Sequence, residues 1–216
     1  MMWKPFCWAE TGGLMAEKAG LIFGLVLAAG SSRRFGEAKL VQPVAGVALV
    51  RRSVGTLLDA GLEVVVVAGP DSGDVRGVLA GLDVRIVDHA GAAEGMACSI
   101  ACGVAALPPT ADAVVILPGD QPATPAGLVE ELCRLYRDRG AAGAAPVYRG
   151  VQGPPVLFSR SLFPELMSLA GDRGARSLVE SHAGAFAFTA VDGPMPRDID
   201  TREDREAVAS QEYRSI

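Results

Sequence analysis

The chain has 216 residues, half of them hydrophobic and 21% charged, with a formal net charge of −5. That length fits one ordinary domain with a substantial core, and an acidic balance with no lysine-rich patch argues against nucleic-acid binding. The apolar run at 20–30 is too short to cross a membrane. Four cysteines without a CxxC pair read as free thiols of a reducing cytoplasm.

Residues 1–13 hold two tryptophans, a proline and a double glycine without periodicity. Residues 1–19 are therefore expected to be a disordered extension, or to precede a true start at Met15. A signal-peptide reading, with Lys18 before an apolar stretch and Ala28-Ala29-Gly30 as the cleavage site, is rejected because cleavage would remove the 21–27 strand. Residues 21–27 form a short apolar run bounded by Gly30 and two serines, the pattern of a buried strand. The spacing predicts a helix over 47–60, closed by Gly61. Strands follow at 63–68, 83–87 and 113–117, alternating with helices at 71–79, 94–107 and 125–139. Pro108-Pro109 stops the second of these helices, and proline stands in the first turn of the third. Apolar strands alternating with helices imply a mostly parallel sheet, wound right-handed and covered on both faces: a Rossmann-like three-layer α/β sandwich. Ligands of such sheets sit beyond the carboxyl ends of the strands. The second half is less regular, with strands at 141–148, 155–158 and 185–191, short helices at 162–169 and 176–182, and a charged helix at 201–211.

The stretch Leu27-Ala28-Ala29-Gly30-Ser31-Ser32-Arg33-Arg34-Phe35-Gly36-Glu37-Ala38-Lys39 carries the chemistry. Small residues after a strand let a ligand approach the backbone, and Gly30 can take φ angles closed to side chains. Backbone N–H groups with Ser31 and Ser32 make an anion cradle. Arg33, Arg34 and Lys39 add charge suited to a polyphosphate. A Walker loop is excluded because Phe35 stands where its second glycine belongs, and the Gly-x-Gly-x-x-Gly dinucleotide fingerprint is absent. The stretch resembles the signature Leu-Ala-Ala-Gly-x-Ser-x-Arg-Met-Gly-x-x-Lys of molybdenum-cofactor-type nucleotidyltransferases, with Phe35 in the place of methionine. The resemblance implies a fold of the nucleotide-diphospho-sugar transferase type. It also implies that Leu27, Ala28, Ala29, Gly30 and Ser32 line the nucleotide, and that Arg34 and Lys39 act on the triphosphate.

Asp120 follows the 113–117 strand in Leu-Pro-Gly-Asp-Gln-Pro. A carboxylate just past a strand end, set by Gly119 and Pro122, suits a metal ion, although a turn aspartate bonding its own backbone has the same pattern. The resemblance decides for the metal, because the family carries its metal-binding aspartate in a Gly-Asp-x-Pro turn. The ion needs a second carboxylate. Asp198 and Asp200 lie two apart, on one face of an extended segment. Similarity to an Asp-x-Asp-Thr-Pro-Glu-Asp pattern favours Asp200, with Arg202 replacing the proline. Thr201 also reads as the cap of the last helix, with Asp204 complementing its dipole.

Two more segments resemble the cytidylyltransferase branch that matures molybdenum hydroxylases. In 93–103, Gly95, Met96 and Ser99 would border the nucleotide; Met96 fits a core helix equally well. In 153–176, Gly153-Pro154-Pro155-Val156-Leu157-Phe158 is close to Gly-His-Pro-Val-Leu-Phe, with Pro154 in the histidine position, and Gly171-Asp172-Arg173-Gly174-Ala175-Arg176 matches a Gly-Asp-x-Gly-Ala-Arg element. Gln152, Gly153, Pro155, Asp172 and Arg176 are then expected around the acceptor, with Asp172, Arg173 and Arg176 at a helix start able to take its phosphate. Cys98 and Cys102 share a helix face, but with His89 alone nearby they make a thin zinc site.

No internal repeat or low-complexity linker marks a boundary, so one domain is expected over 20–212, its nucleotide half ending near 135 and its acceptor half following. The expected reaction is transfer of CMP from CTP to the phosphate of a molybdopterin-type cofactor, catalysed by Arg34, Lys39 and Asp120 with Mg²⁺ (or Mn²⁺ in its place) on Asp120 and Asp200. A molybdenum hydroxylase apoenzyme is the expected partner. Ala28-Ala29-Gly30 favours CTP, since guanylyl-transferring relatives typically carry Ala-Gly-Gly. The alternatives are another triphosphate with a sugar phosphate or other phosphorylated alcohol, a non-catalytic cofactor carrier, and a nicotinamide oxidoreductase.

Overall fold

A computed structural model describes residues 20–30, 39–70, 72–91, 95–171 and 174–199. In chain order the elements are β1 (Leu21–Ala28), β2 (Pro43–Val44), β3 (Val47–Ala48), α1 (Leu49–Asp59), β4 (Glu63–Ala68), α2 (Gly73–Leu79), β5 (Val84–Asp88), α3 (Met96–Ala105) and β6 (Ala111–Pro118). They continue with α4 (Ala126–Arg139), β7 (Gly143–Tyr148), β8 (Val151–Gln152), β9 (Val156–Ser159), α5 (Phe163–Met167), α6 (Arg176–Ser181) and β10 (Phe186–Val191). The main sheet runs β5-β4-β1-β6-β9-β7-β10, with β8 paired to β7.

Strand β1 takes the centre because both of its faces are apolar. Ile22, Val26 and Ala28 enter one core with Val54 and Leu57 of α1 and Leu132 of α4. Phe23, Leu25 and Ala29 enter the other, with Ile100 and Val104 of α3 and Leu166 of α5. Strands β4 and β6 divide their residues between the two cores in the same alternating way. Parallel pairing joins β1 to β4 and β6, β4 to β5, and β7 to β10. The result is the three-layer, mostly parallel architecture expected.

Strands β8 and β9 are the exceptions: β8 runs antiparallel to β7, and β9 to both β6 and β7. The chain reverses at once after β7, through Arg149 and Gly150 at φ 48° and 88°. So short a link allows only an antiparallel return. The β2–β3 hairpin was also not foreseen: Val47 and Ala48 fit the helical spacing of α1, but Ala45 and Gly46 turn the chain at φ 47° and 81° and pair them with Val44 and Pro43. Pro125 is extended and caps α4 rather than entering its first turn. The helix expected over 162–169 divides into a 3-10 turn (Arg160–Leu162) and α5. The extension at 1–19 and the closing helix at 201–211 lie outside the described residues.

The layers meet closely where glycines face the sheet. A Cβ on Gly103 of α3 would stand 2.5 Å from Leu25 Cδ1 and 2.8 Å from Val67 Cγ2. We predict that Gly103→Ala destabilises the protein by about 1–3 kcal/mol in denaturant unfolding, because overpacking outweighs alanine's better helix propensity. Unchanged or higher stability would show that α3 can move off the sheet freely.

Candidate active site

Strands β1 and β6 are parallel neighbours that end level with one another, Leu27 opposite Pro118. Beyond β6 the chain makes the loop that carries Asp120, and its join to the end of β1 is hydrogen-bonded. Gly119 N–H donates to Leu27 O at 2.9 Å. A Cβ on Gly119 would meet that same oxygen at 2.9 Å, so only glycine lets the loop close here. Two hydroxyls of α1 brace the loop from below: Ser53 Oγ donates to Gly119 O at 3.2 Å and Thr56 Oγ1 to Thr124 O at 3.0 Å. Thr124 Oγ1 in turn donates to Gln121 O at 3.3 Å. Asp120 is thereby carried on a turn with little freedom.

Lys39 lies in a 3-10 turn (Lys39–Val41) and meets Asp120, Nζ to Oδ2 at 2.8 Å, with both side chains more than two-thirds buried. The C-terminal segment returns to the same turn. Ile199 N–H donates to Asp120 O at 3.2 Å, and Gln121 Nε2 donates to Asp198 Oδ1 at 2.8 Å. Ile199 is fully buried against Val44 and Leu49, which anchors this segment in the fold.

Beside the pair opens a cavity of about 350 Å³, walled by Leu27, Met96, Asp120, Gln152, Arg176 and Asp198 among others. It joins residues of the first half of the chain to residues of the second. Met96 is 47% exposed and lines this cavity, so it is not a core methionine. Gly95, at φ 111°, caps α3 just before it. Ser99 is buried one turn further on and does not line the cavity. Gly153 lies against Met195, where a Cβ would meet Sδ at 2.7 Å. The peptide between Pro154 and Pro155 is cis. Tyr148 Oη donates to Pro154 O at 2.8 Å, and burial pushes its phenol up to about 12, which keeps it a donor. A larger, open cleft of about 1440 Å³ lies at the other end of the sheet, by Gly20 and Asp112, and contains none of the predicted site residues.

The structure therefore brings together Leu27, Lys39, Asp120, Gln152, Gly153 and Arg176. Ala28 and Ala29 are buried beneath them, and Gly30 is exposed at the end of the strand. Two expectations are corrected. Gly30 does not take a left-handed φ; its lack of a side chain leaves open space instead, since a Cβ there would meet nothing within 4 Å. Pro155 is buried behind the cavity wall, and its neighbour Pro154 lines it. Arg176 begins α6 and pairs with Glu180 at 3.0 Å. Ser31, Ser32, Arg33, Arg34, Asp172, Arg173 and Asp200 lie outside the described residues. Sequence reasoning missed Gln121 and Met195. The position of Gln121 beside Asp120 was the available signal for the first; nothing in the sequence marks the second.

These features match known proteins. The model of the "MobA-like NTP transferase domain" family matches residues 24–192. The chain belongs to this family. It is thus a nucleotidyltransferase, with the nucleotide-diphospho-sugar transferase-like architecture. It is 33% identical over 198 residues to the purine catabolism protein PucB of Bacillus subtilis, covering 87% of this chain and 95% of that one. Among solved structures it is similar to Rv0371c of Mycobacterium tuberculosis, with a TM-score of 0.80, 29% identity, and coverage of 89% and 99% of the two chains. A manganese complex of Rv0371c aligns at a TM-score of 0.76 and 27% identity, covering 88% of this chain and 98% of that one. The relatives match over nearly their whole length, so the Asp120 loop and the cavity of this family member fall inside the shared fold.

The described residues of this MobA-like transferase contain no group of three or more His, Cys, Asp or Glu able to hold a metal. They do set two carboxylates, Asp120 and Asp198, around one cavity. Oxygen donors of this kind fit a hard divalent ion that takes its remaining ligands from phosphates and water. We predict that Ser53→Ala, which strands the buried Gly119 carbonyl, costs about 1–3 kcal/mol of stability. Thermal and denaturant unfolding would check this; a loss below about 0.5 kcal/mol would mean that the loop keeps its place without the hydroxyl.

Proposed function

We propose that the protein transfers CMP from CTP to the terminal phosphate of a molybdopterin-type cofactor and releases pyrophosphate. The observation that carries this reading is the Lys39–Asp120 pair at the carboxyl ends of β1 and β6, beside a cavity shared by both halves of the chain. Family membership supports nucleotidyl transfer. Ala28-Ala29-Gly30 supports cytosine as the base. The Gly153–Phe158 and Gly171–Arg176 elements support the acceptor and, through it, delivery to a molybdenum hydroxylase apoenzyme. Among the described residues Cys98, Cys102 and Cys133 form no disulfide, which accords with a reducing cytoplasm.

In this reading an acceptor phosphate oxygen attacks the α-phosphorus of CTP. A new P–O bond forms, the bond to the β-phosphate oxygen breaks, and its electron pair leaves with pyrophosphate. The attacking phosphate is already anionic near neutral pH, so the site needs no histidine base. Lys39 and Arg34 hold and neutralise the leaving phosphates, and Ala28, Ala29 and Gly30 admit the nucleotide close to the backbone. A divalent ion, Mg²⁺ or Mn²⁺, would be held by Asp120 with the acidic segment of Asp198 and Asp200, and supplies charge neutralisation and orientation. Gln152, Gly153 and Arg176 receive the acceptor, with Asp172 close to Arg176 in sequence.

Pyrophosphate release is expected with CTP, a divalent metal and molybdopterin cofactor together, and not when any one is left out. Equal or faster turnover with GTP would overturn the base assignment, and turnover only with a sugar phosphate would overturn the acceptor. Lys39→Ala should raise the KM for CTP roughly ten- to a hundredfold, the worth of one charge-assisted phosphate contact of about 1.5–3 kcal/mol. Asp120→Asn should remove most turnover while the protein stays folded; wild-type rates in either variant would remove that residue from the mechanism.

A further inference from the structure

Gln121 stands beside Asp120 and is only 4% exposed, yet its amide is half used. Nε2 donates to Asp198 Oδ1 at 2.8 Å, while Oε1 is buried and has no partner among the described residues. A primary amide has two donor hydrogens and one accepting oxygen. Turning it over would set Oε1 against the Asp198 carboxylate, oxygen to oxygen, so Asp198 fixes its orientation. A glutamine serving structure alone would be satisfied at both ends. Here the side chain lies in the wall of the cavity, and no described residue donates to its Oε1.

We propose that Gln121 is a two-ended positioning residue that links the acceptor cavity to the metal-bearing carboxylates. Its nitrogen holds Asp198 beside the Asp120 turn, and its oxygen accepts an N–H from the acceptor's heterocycle. A ligand with a ring amide or exocyclic amine completes the amide's hydrogen bonding; an acceptor with only ether and carbonyl oxygens would leave Oε1 unpaired. Asp198 is thereby the carboxylate whose place depends on Gln121. This rests on the proposed transfer for the identity of the acceptor, but not for the link to Asp198.

The test is a double-mutant cycle on the full chain with Mn²⁺ alone as the probe, read by electron paramagnetic resonance. Gln121→Met keeps the volume and loses both hydrogen-bonding ends. It should lower Mn²⁺ affinity about tenfold, the usual effect of removing a group that orients a metal ligand. Asp198→Asn should lower it at least as much, and the double variant should match Asp198→Asn within about twofold, because Gln121 acts through Asp198. Unchanged affinity in Gln121→Met, or losses that multiply in the double variant, would overturn the link. If Gln121→Met does not fold, Gln121→Asn, too short to reach Asp198, takes its place in the same cycle. With CTP and molybdopterin cofactor at saturating Mn²⁺, Gln121→Met should raise the acceptor KM about tenfold, one hydrogen bond's worth, and leave the CTP KM within about twofold. Equal rises in both would overturn the acceptor contact. No turnover by the wild-type chain would refute the proposed transfer and the acceptor contact with it, while the Mn²⁺ cycle would still decide the link to Asp198.

Discussion

The hydrogen bond from Gly119 N–H to Leu27 O is the constraint on which the site depends. It extends the β1–β6 ladder one step past β6 and fixes the Asp120 loop to the end of β1 at the point where it leaves the sheet. The described groups of the site are set around this join. Lys39 reaches it from the 3-10 turn, Asp120 stands next to it, and Ile199 brings the acidic C-terminal segment to the Asp120 carbonyl. Hydroxyls from α1 hold the Asp120 loop from beneath. A loop held at this many backbone points loses little further freedom when ligand binds, and its functional groups are pre-set.

The choice of small residues follows from the same requirement. Gly24 of β1 faces α1 on one side of the sheet and Gly103 of α3 faces β1 on the other, each where a Cβ would clash with a leucine. Thin contacts on both faces let α1 and α3 approach closely, and this sets two different services at the carboxyl edge of the sheet. Helix α1 supplies Ser53 and Thr56 to brace the Asp120 loop. Helix α3 begins at Gly95 and brings Met96 to the cavity. A bulkier layer would separate these elements from the strand ends that carry the ligands.

How much of this was legible depended on whether a feature is local. Strands β1, β4 and β6 were readable as unbroken apolar runs, because burial on both faces removes any polar alternation. Asp120 was readable because it follows one of those runs in a turn rich in glycine and proline. The antiparallel β9 was placed as a strand, but its direction depends on the turn at Arg149 and Gly150, whose positive φ values no hydrophobic pattern announces. The β2–β3 hairpin was hidden because Val47 and Ala48 continue the periodicity of α1. Gln121 was invisible for another reason. Its importance lies in one hydrogen bond to Asp198, far away in sequence, and in an oxygen that no described residue satisfies. Long-range polar pairing of this kind leaves no periodic trace.

The Lys39–Asp120 pair has a consequence for how the site can work. A lysine ammonium and a carboxylate at 2.8 Å, mostly buried, satisfy one another when no ligand is bound. Either charge left alone there would be costly, so the pair keeps both groups in place between turnovers. Under the proposed reaction the triphosphate would take over as a partner of Lys39, and a divalent ion held by Asp120 would stand in for the ammonium. Nucleotide arriving without metal would compete for Lys39 and take from Asp120 its ion-pair partner. The pair therefore favours nucleotide that arrives with its metal over nucleotide alone, through ordinary charge balance.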